Sequence, residues 1–153
     1  TKWKWGFLPL PISILIQMSK KLALVLFVLC IGFSSYSQQY LFKATSFSVT
    51  EKNNKGKWTD WTKPTKSEMI IKVDGVSHRI IVYSEEIQLY NIVKYNEVKT
   101  TDSDIISSFN CVDNNGLECN VSIFTRKKQN NRKQLYITYE DMIIEYNIEF
   151  DEQ

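Results

Sequence analysis

Met142-Ile143-Ile144-Glu145-Tyr146-Asn147-Ile148-Glu149-Phe150 is the stretch whose pattern decides the fold. Met142, Ile144, Tyr146, Ile148 and Phe150 alternate with Ile143, Glu145, Asn147 and Glu149. A period of two puts the first set on one face of a strand and the second on the other. One face is apolar and the other mostly polar, the pattern of a strand in an antiparallel sheet with one side buried and one wet.

Working outward, β-branched and aromatic residues alternate with polar ones between short turn signals. Strands are predicted over residues 40–50, 56–61, 69–73, 76–83, 87–95, 105–112, 117–126, 133–139 and 142–150, the short 56–61 piece resting on the least pattern. No gap is long enough for a crossover helix. The expected fold is all-β, an antiparallel up-and-down meander forming a small barrel or a sandwich. In outline such a meander is similar to lipocalin-type and fatty-acid-binding barrels, but the chain carries none of their sequence motifs and is assigned to no family.

Two hairpins can be registered from the residues. Asp74-Gly75 suits a two-residue turn, which pairs Val73 with Val76, Ile71 with His78 and Met69 with Ile80 and places His78 on an apolar face. Asp113-Asn114-Asn115-Gly116 suits a type I turn closed by a left-handed glycine. That register sets Cys111 opposite Cys119, at a Cα separation of about 4.5 to 5.5 Å that falls in the disulfide range. A Cys111–Cys119 disulfide is therefore expected.

The N-terminal part reads differently. Lys20 and Lys21 precede the apolar run Leu22 to Phe33, followed by Ser34-Ser35-Tyr36-Ser37. Positive, apolar and small-residue segments in that order make a secretory signal peptide over residues 18–37, with mature residues 38–153 forming one domain. A dozen apolar residues span roughly 18 Å as a helix, short of a bilayer core of about 30 Å, so cleavage is expected rather than a stable membrane anchor. Residues 1–17 contain no Met and carry Pro9 and Pro11, which marks them as untranslated or mis-assigned leader ahead of Met18. Leu29 precedes Cys30, where a lipid-modified cysteine follows a small residue. The expected location is exported, periplasmic or extracellular, where two cysteines left in the mature chain pair readily.

Charge narrows the partners. The chain carries 19 Lys and Arg against 17 Asp and Glu, but Lys2, Lys4, Lys20 and Lys21 precede Gln38, leaving 15 against 17 in the mature domain. A net charge of −2 supplies no general field for phosphates, so nucleic acid is not an expected ligand.

Each candidate for chemistry has a plainer explanation beside it. Asp113, Asn115 and Glu118 do not match the spacing of a calcium loop and are read as a turn. His78 is the only histidine and is expected in the core, so neither a Ser-His-Asp nor a Cys-His arrangement is assembled around it. Glu85-Glu86, Glu140-Asp141 and Asp102 with Asp104 are read as solvated turn residues rather than as a glycosidase pair. Arg126, Lys127, Lys128, Arg132 and Lys133 are read as a solvated hairpin tip, with contact to an anionic surface as the functional alternative. Trp58 and Trp61 are the candidate ligand-binding residues, at a barrel mouth or in packing. No catalytic residue, metal site or cofactor is predicted. The reading that remains is non-enzymatic binding of an apolar or amphipathic small ligand. Its alternative is an envelope or secreted protein-interaction module with no small ligand.

Overall fold

In the computed structural model the described residues are 38–151. The predicted leader and signal peptide, residues 1–37, lie outside the described residues.

The domain is a closed antiparallel barrel. Its strands are β1 (Gln39–Glu51), β2 (Thr65–Lys66), β3 (Ile70–Asp74), β4 (Arg79–Tyr83), β5 (Gln88–Tyr95), β6 (Lys99–Thr100), β7 (Asp104–Asp113), β8 (Glu118–Arg126), β9 (Arg132–Thr138) and β10 (Met142–Phe150). A single 3-10 turn, Lys127–Gln129, lies between β8 and β9. The order β10-β9-β8-β7-β5-β4-β3-β1 is an up-and-down meander, and β1 pairs with β10 from Phe42↔Phe150 to Glu51↔Met142 to close it. Eight strands form the wall. β2 extends the pairing of β1 beyond β3, and β6 pairs only with β7. Closure leaves no long strand edge unpaired, which removes the template that an open sheet offers to other chains.

Of the predicted strands, residues 56–61 shrink to an isolated bridge, Lys52↔Trp58, because Thr59 and Thr62 instead follow the margin of β1 through bonds to Glu51 and Val49. The two-residue pieces β2 and β6 were not foreseen.

Alternation sets the core. Phe42, Ile71, Val73, Ile80, Val82, Ile92, Val121, Leu135, Ile137 and Ile148 point inward and are buried, most of them fully. Each buried aliphatic side chain contributes about 1.5 to 3 kcal/mol, so a solid centre is the main source of stability. The outward set of β8 is Glu118, Asn120, Ser122, Phe124 and Arg126, and that of β10 is Ile143, Glu145, Asn147 and Glu149, polar apart from Phe124 and Ile143. An apolar inside with a mostly polar outside is the reverse of a lipid-facing barrel.

The β3–β4 turn corrects the register expected at Asp74-Gly75. Val73 pairs with Ile80 and Ile71 with Val82, leaving residues 75–78 as a four-residue loop. The Asp74 carboxylate accepts the backbone N–H groups of Val76 and Ser77 at 2.9 and 3.2 Å, wrapping the chain into the longer turn. Ser77's backbone is the largest influence holding the Asp74 carboxyl at about 2, against burial and with help from Lys72 and Val76. His78 ends the loop in the left-handed region, at φ 52°, and is exposed rather than in the core.

The β7–β8 hairpin has the expected register, with Cys111 opposite Cys119. Both are nevertheless buried free thiols, so the expected disulfide is not formed. The ladder sets their geometry. Asp113 N–H donates to Leu117 O and Lys127 N–H to Ser103 O, which makes the odd positions of β7 the hydrogen-bonded ones. At such positions facing Cα atoms stand about 5.5 Å apart, not the roughly 4.5 Å of the alternate positions where side chains approach more closely. A Cα spacing of about 5.5 Å is itself within the disulfide range, so the bond would need the two Cβ atoms drawn in to about 3.8 Å.

Candidate functional site

The two ends of the barrel differ. One carries the β3–β4 turn, the β8–β9 connection, the start of β1 and the end of β10. The other gathers the β4–β5, β7–β8 and β9–β10 turns and opens inward.

A bulge makes that opening. The register of β1 shifts between Ala44 and Ser46, so the inward face passes from Phe42 and Ala44 to Phe47 and Val49. With Met69, Ile144 and Tyr146 these residues line a depression of about 740 Å³ whose rim carries Lys66, Glu68, Tyr83, Glu85 and Glu86. A second hollow of about 350 Å³ adjoins it, sharing Gln88 and Ile144 and reaching Tyr90, Asp113, Tyr139 and Asp141. The shared residues make the two hollows parts of one mouth.

Its floor is a tier of tyrosines. Tyr90 and Tyr146 are each 2% exposed. Tyr90 donates to Gln88 Oε1 at 2.7 Å, and Tyr139 donates to Asp113 Oδ2 at 3.0 Å. Phe47 lies 6.2 Å from Tyr146 between ring centroids. Burial pushes the Tyr90 phenol well above its ordinary range, with Tyr139 adding to the effect. Burial likewise raises Tyr139 and Tyr146. All three therefore stay protonated around neutral pH and present hydroxyls rather than phenolates.

Asp113 anchors this tier. Its Oδ1 accepts the N–H groups of Asn115 at 2.8 Å and Leu117 at 2.9 Å. Burial acts to raise its pKa, but those bonds and the Tyr139 hydroxyl outweigh it and hold the carboxyl below its usual value. One residue thus shapes the hairpin turn and orients a phenol in the mouth.

The ligand-binding candidates named from sequence lie elsewhere. Trp58 sits on the strap after β1, with Lys52 Nζ 5.2 Å above its ring. Trp61 meets Tyr136 edge-on at 6.5 Å and lines an outer groove. Neither lines the mouth. Cys111 and Cys119 are buried two pairs below the Asp113–Leu117 pair that closes the turn, and burial pushes their thiols up to about 12 and about 11. His78 is at the opposite end, its Nδ1 2.8 Å from the Tyr95 hydroxyl.

Of the carboxylate pairs, Glu85-Glu86 and Glu140-Asp141 belong to turns at the open end. Asp104 instead begins β7 and pairs with Arg126 at 3.1 Å. Arg126 also donates to Gln134 and Tyr136 and stacks 4.5 Å over Phe124, so it is part of the outer wall rather than of a solvated tip. Among the described residues no group of three or more His, Cys, Asp or Glu is placed to hold a metal ion.

Sequence reasoning passed over Gln88, Tyr90, Tyr139 and Tyr146. The alternation of β10 had set Tyr146 on the buried face, but nothing local marked it as part of an opening. Compared with known proteins, the chain matches no family model, no curated protein and no solved structure.

Proposed function

We propose that this chain is an exported, non-enzymatic binding protein that takes an apolar or amphipathic small ligand into the open end of its barrel. The observation that carries this reading is the depression of about 740 Å³ walled by Phe47, Val49, Met69, Ile144 and Tyr146. Small-ligand sites measure about 300 to 1,000 Å³ and combine apolar walls with a few convergent polar groups. Gln88 supplies such a group in this depression, and Tyr90 and Tyr139 supply others in the adjoining hollow. Export rests on the order of charged, apolar and small residues from Lys20 to Ser37. A protein-interaction module has less support, because barrel closure occupies the long strand edges and Arg126 is engaged within its own wall.

Expression from Met18 in an exporting bacterium tests both parts. The mature protein is expected to begin at Gln38, and native mass spectrometry of that product is expected to detect a retained small molecule. N-phenyl-1-naphthylamine is expected to bind saturably and to lose that binding in Ile144→Glu, with unchanged circular dichroism. A product retaining Leu22 to Phe33 refutes cleavage after Ser37. No retained mass together with no saturable probe binding refutes the ligand reading.

A further inference from the structure

Beyond its apolar walls, the mouth has a charge pattern that selects among amphipathic ligands. Its linings include Glu68, Glu85, Glu86, Asp113 and Asp141, against Lys66 alone. Lys52, Lys55 and Lys57 belong to the loop leaving β1 at this end and line neither hollow. Glu68 has a distant counter-ion in Lys43 at 4.0 Å, and Asp113 is committed to its turn and to Tyr139. Among the described residues Glu85 and Glu86 form no ion pair, and both are exposed on the β4–β5 turn beside the exposed ring of Tyr83.

The geometry points to an amphiphile with a single apolar tail and a cationic head as the ligand: the tail against Phe47, Val49, Met69 and Ile144, the head among Glu85, Glu86 and the Tyr83 ring. This inference rests on the binding function proposed above and names the chemical class for the same site. An ammonium head meets negative charge and an aromatic face at the rim, both of which favour a cation. It leaves its charge in water while the chain enters the hollow, so no uncompensated charge is buried. A carboxylate or sulfate head would stand among like charges, which costs affinity. The tyrosine tier below is protonated and neutral, and it closes the pocket floor without adding charge.

Three probes with the same twelve-carbon tail separate head from tail: dodecyltrimethylammonium, dodecyl maltoside and dodecyl sulfate. Each is titrated calorimetrically into the mature protein at low ionic strength and below its micelle concentration. The expected order is ammonium tightest, maltoside weaker and sulfate weakest. Glu85→Gln combined with Glu86→Gln is expected to weaken the ammonium probe about fivefold, in line with two exposed charge contacts, and to leave maltoside unchanged. Added salt is expected to erase the same difference. Sulfate or maltoside binding as tightly as ammonium overturns the headgroup assignment and leaves ligand binding standing, as does a double variant with unaltered ammonium affinity. Failure of all three probes to bind overturns the proposed function together with this inference.

Discussion

Asp113→Ala tests whether one carboxylate holds both the β7–β8 turn and the tyrosine tier. The substitution removes three hydrogen bonds, from Asn115 N, Leu117 N and the Tyr139 hydroxyl. Hydrogen bonds to an ionised group contribute roughly 1.5 to 3 kcal/mol each, but the two backbone donors lie in an exposed turn where water replaces the lost partner, at a net cost of about 1 kcal/mol each. Tyr139 is half-buried and loses a further 1 kcal/mol or so. The expected destabilisation is about 3 kcal/mol, a fall in urea midpoint of about 1.5 M for a domain of this size. Asp113→Asn keeps the acceptor oxygen and is expected to lose about half as much.

The pH dependence separates charge from shape. Asp113 has a folded-state pKa below its unfolded value, so its ionic contribution is fully present above the unfolded value and is lost as pH falls through the folded one. Urea unfolding followed by tyrosine and tryptophan fluorescence is expected to show wild type and Asp113→Asn diverging at pH 7 and converging below about pH 4. A stability of Asp113→Ala within 0.5 kcal/mol of wild type, by the usual spread of surface substitutions, refutes the reasoning.

Arg126→Gln is expected to cost about 1 to 2 kcal/mol in urea unfolding, since it abandons Asp104, Tyr136 and the face of Phe124, whereas exposed Lys128→Gln is expected to stay within about 0.5 kcal/mol. Equal effects would place Arg126 back in a solvated tip. Iodoacetamide at pH 8 is expected to label Cys111 and Cys119 of the native protein at least a hundredfold more slowly than a free thiol, because burial holds both thiols protonated. Unfolding without reductant is expected to release two reactive thiols, and finding none would restore the disulfide.

The strands were largely legible because the signal for them is local. Alternation in β10 alone sorts Ile144, Tyr146 and Ile148 inward from Glu145, Asn147 and Glu149 outward. The Asp113 turn was legible for the same reason, since Asp, two Asn and Gly carry the required backbone preferences within four residues, and Gly116 indeed adopts φ 82°. Asp74-Gly75 was misread because the same local vocabulary permits a two-residue and a four-residue loop. Pairing of Val73 with Ile80 across a shared core decides between them, and that pairing is not a property of the dipeptide.

By itself, then, the sequence determined the all-β class, the faces of the strands and the facing of Cys111 with Cys119, all of which follow from side-chain alternation and turn chemistry. Only the tertiary structure decided that β1 closes on β10 to make a barrel rather than a sandwich, because that contact joins residues about a hundred positions apart. It also decided that the two thiols face each other at a hydrogen-bonded position, where opposed side chains approach less closely than at the alternate positions. The mouth belongs to the same category. Phe47, Gln88, Tyr90, Tyr139 and Tyr146 come from three strands and a turn, and they meet only because the bulge in β1 turns its inward face at the end where three turns converge.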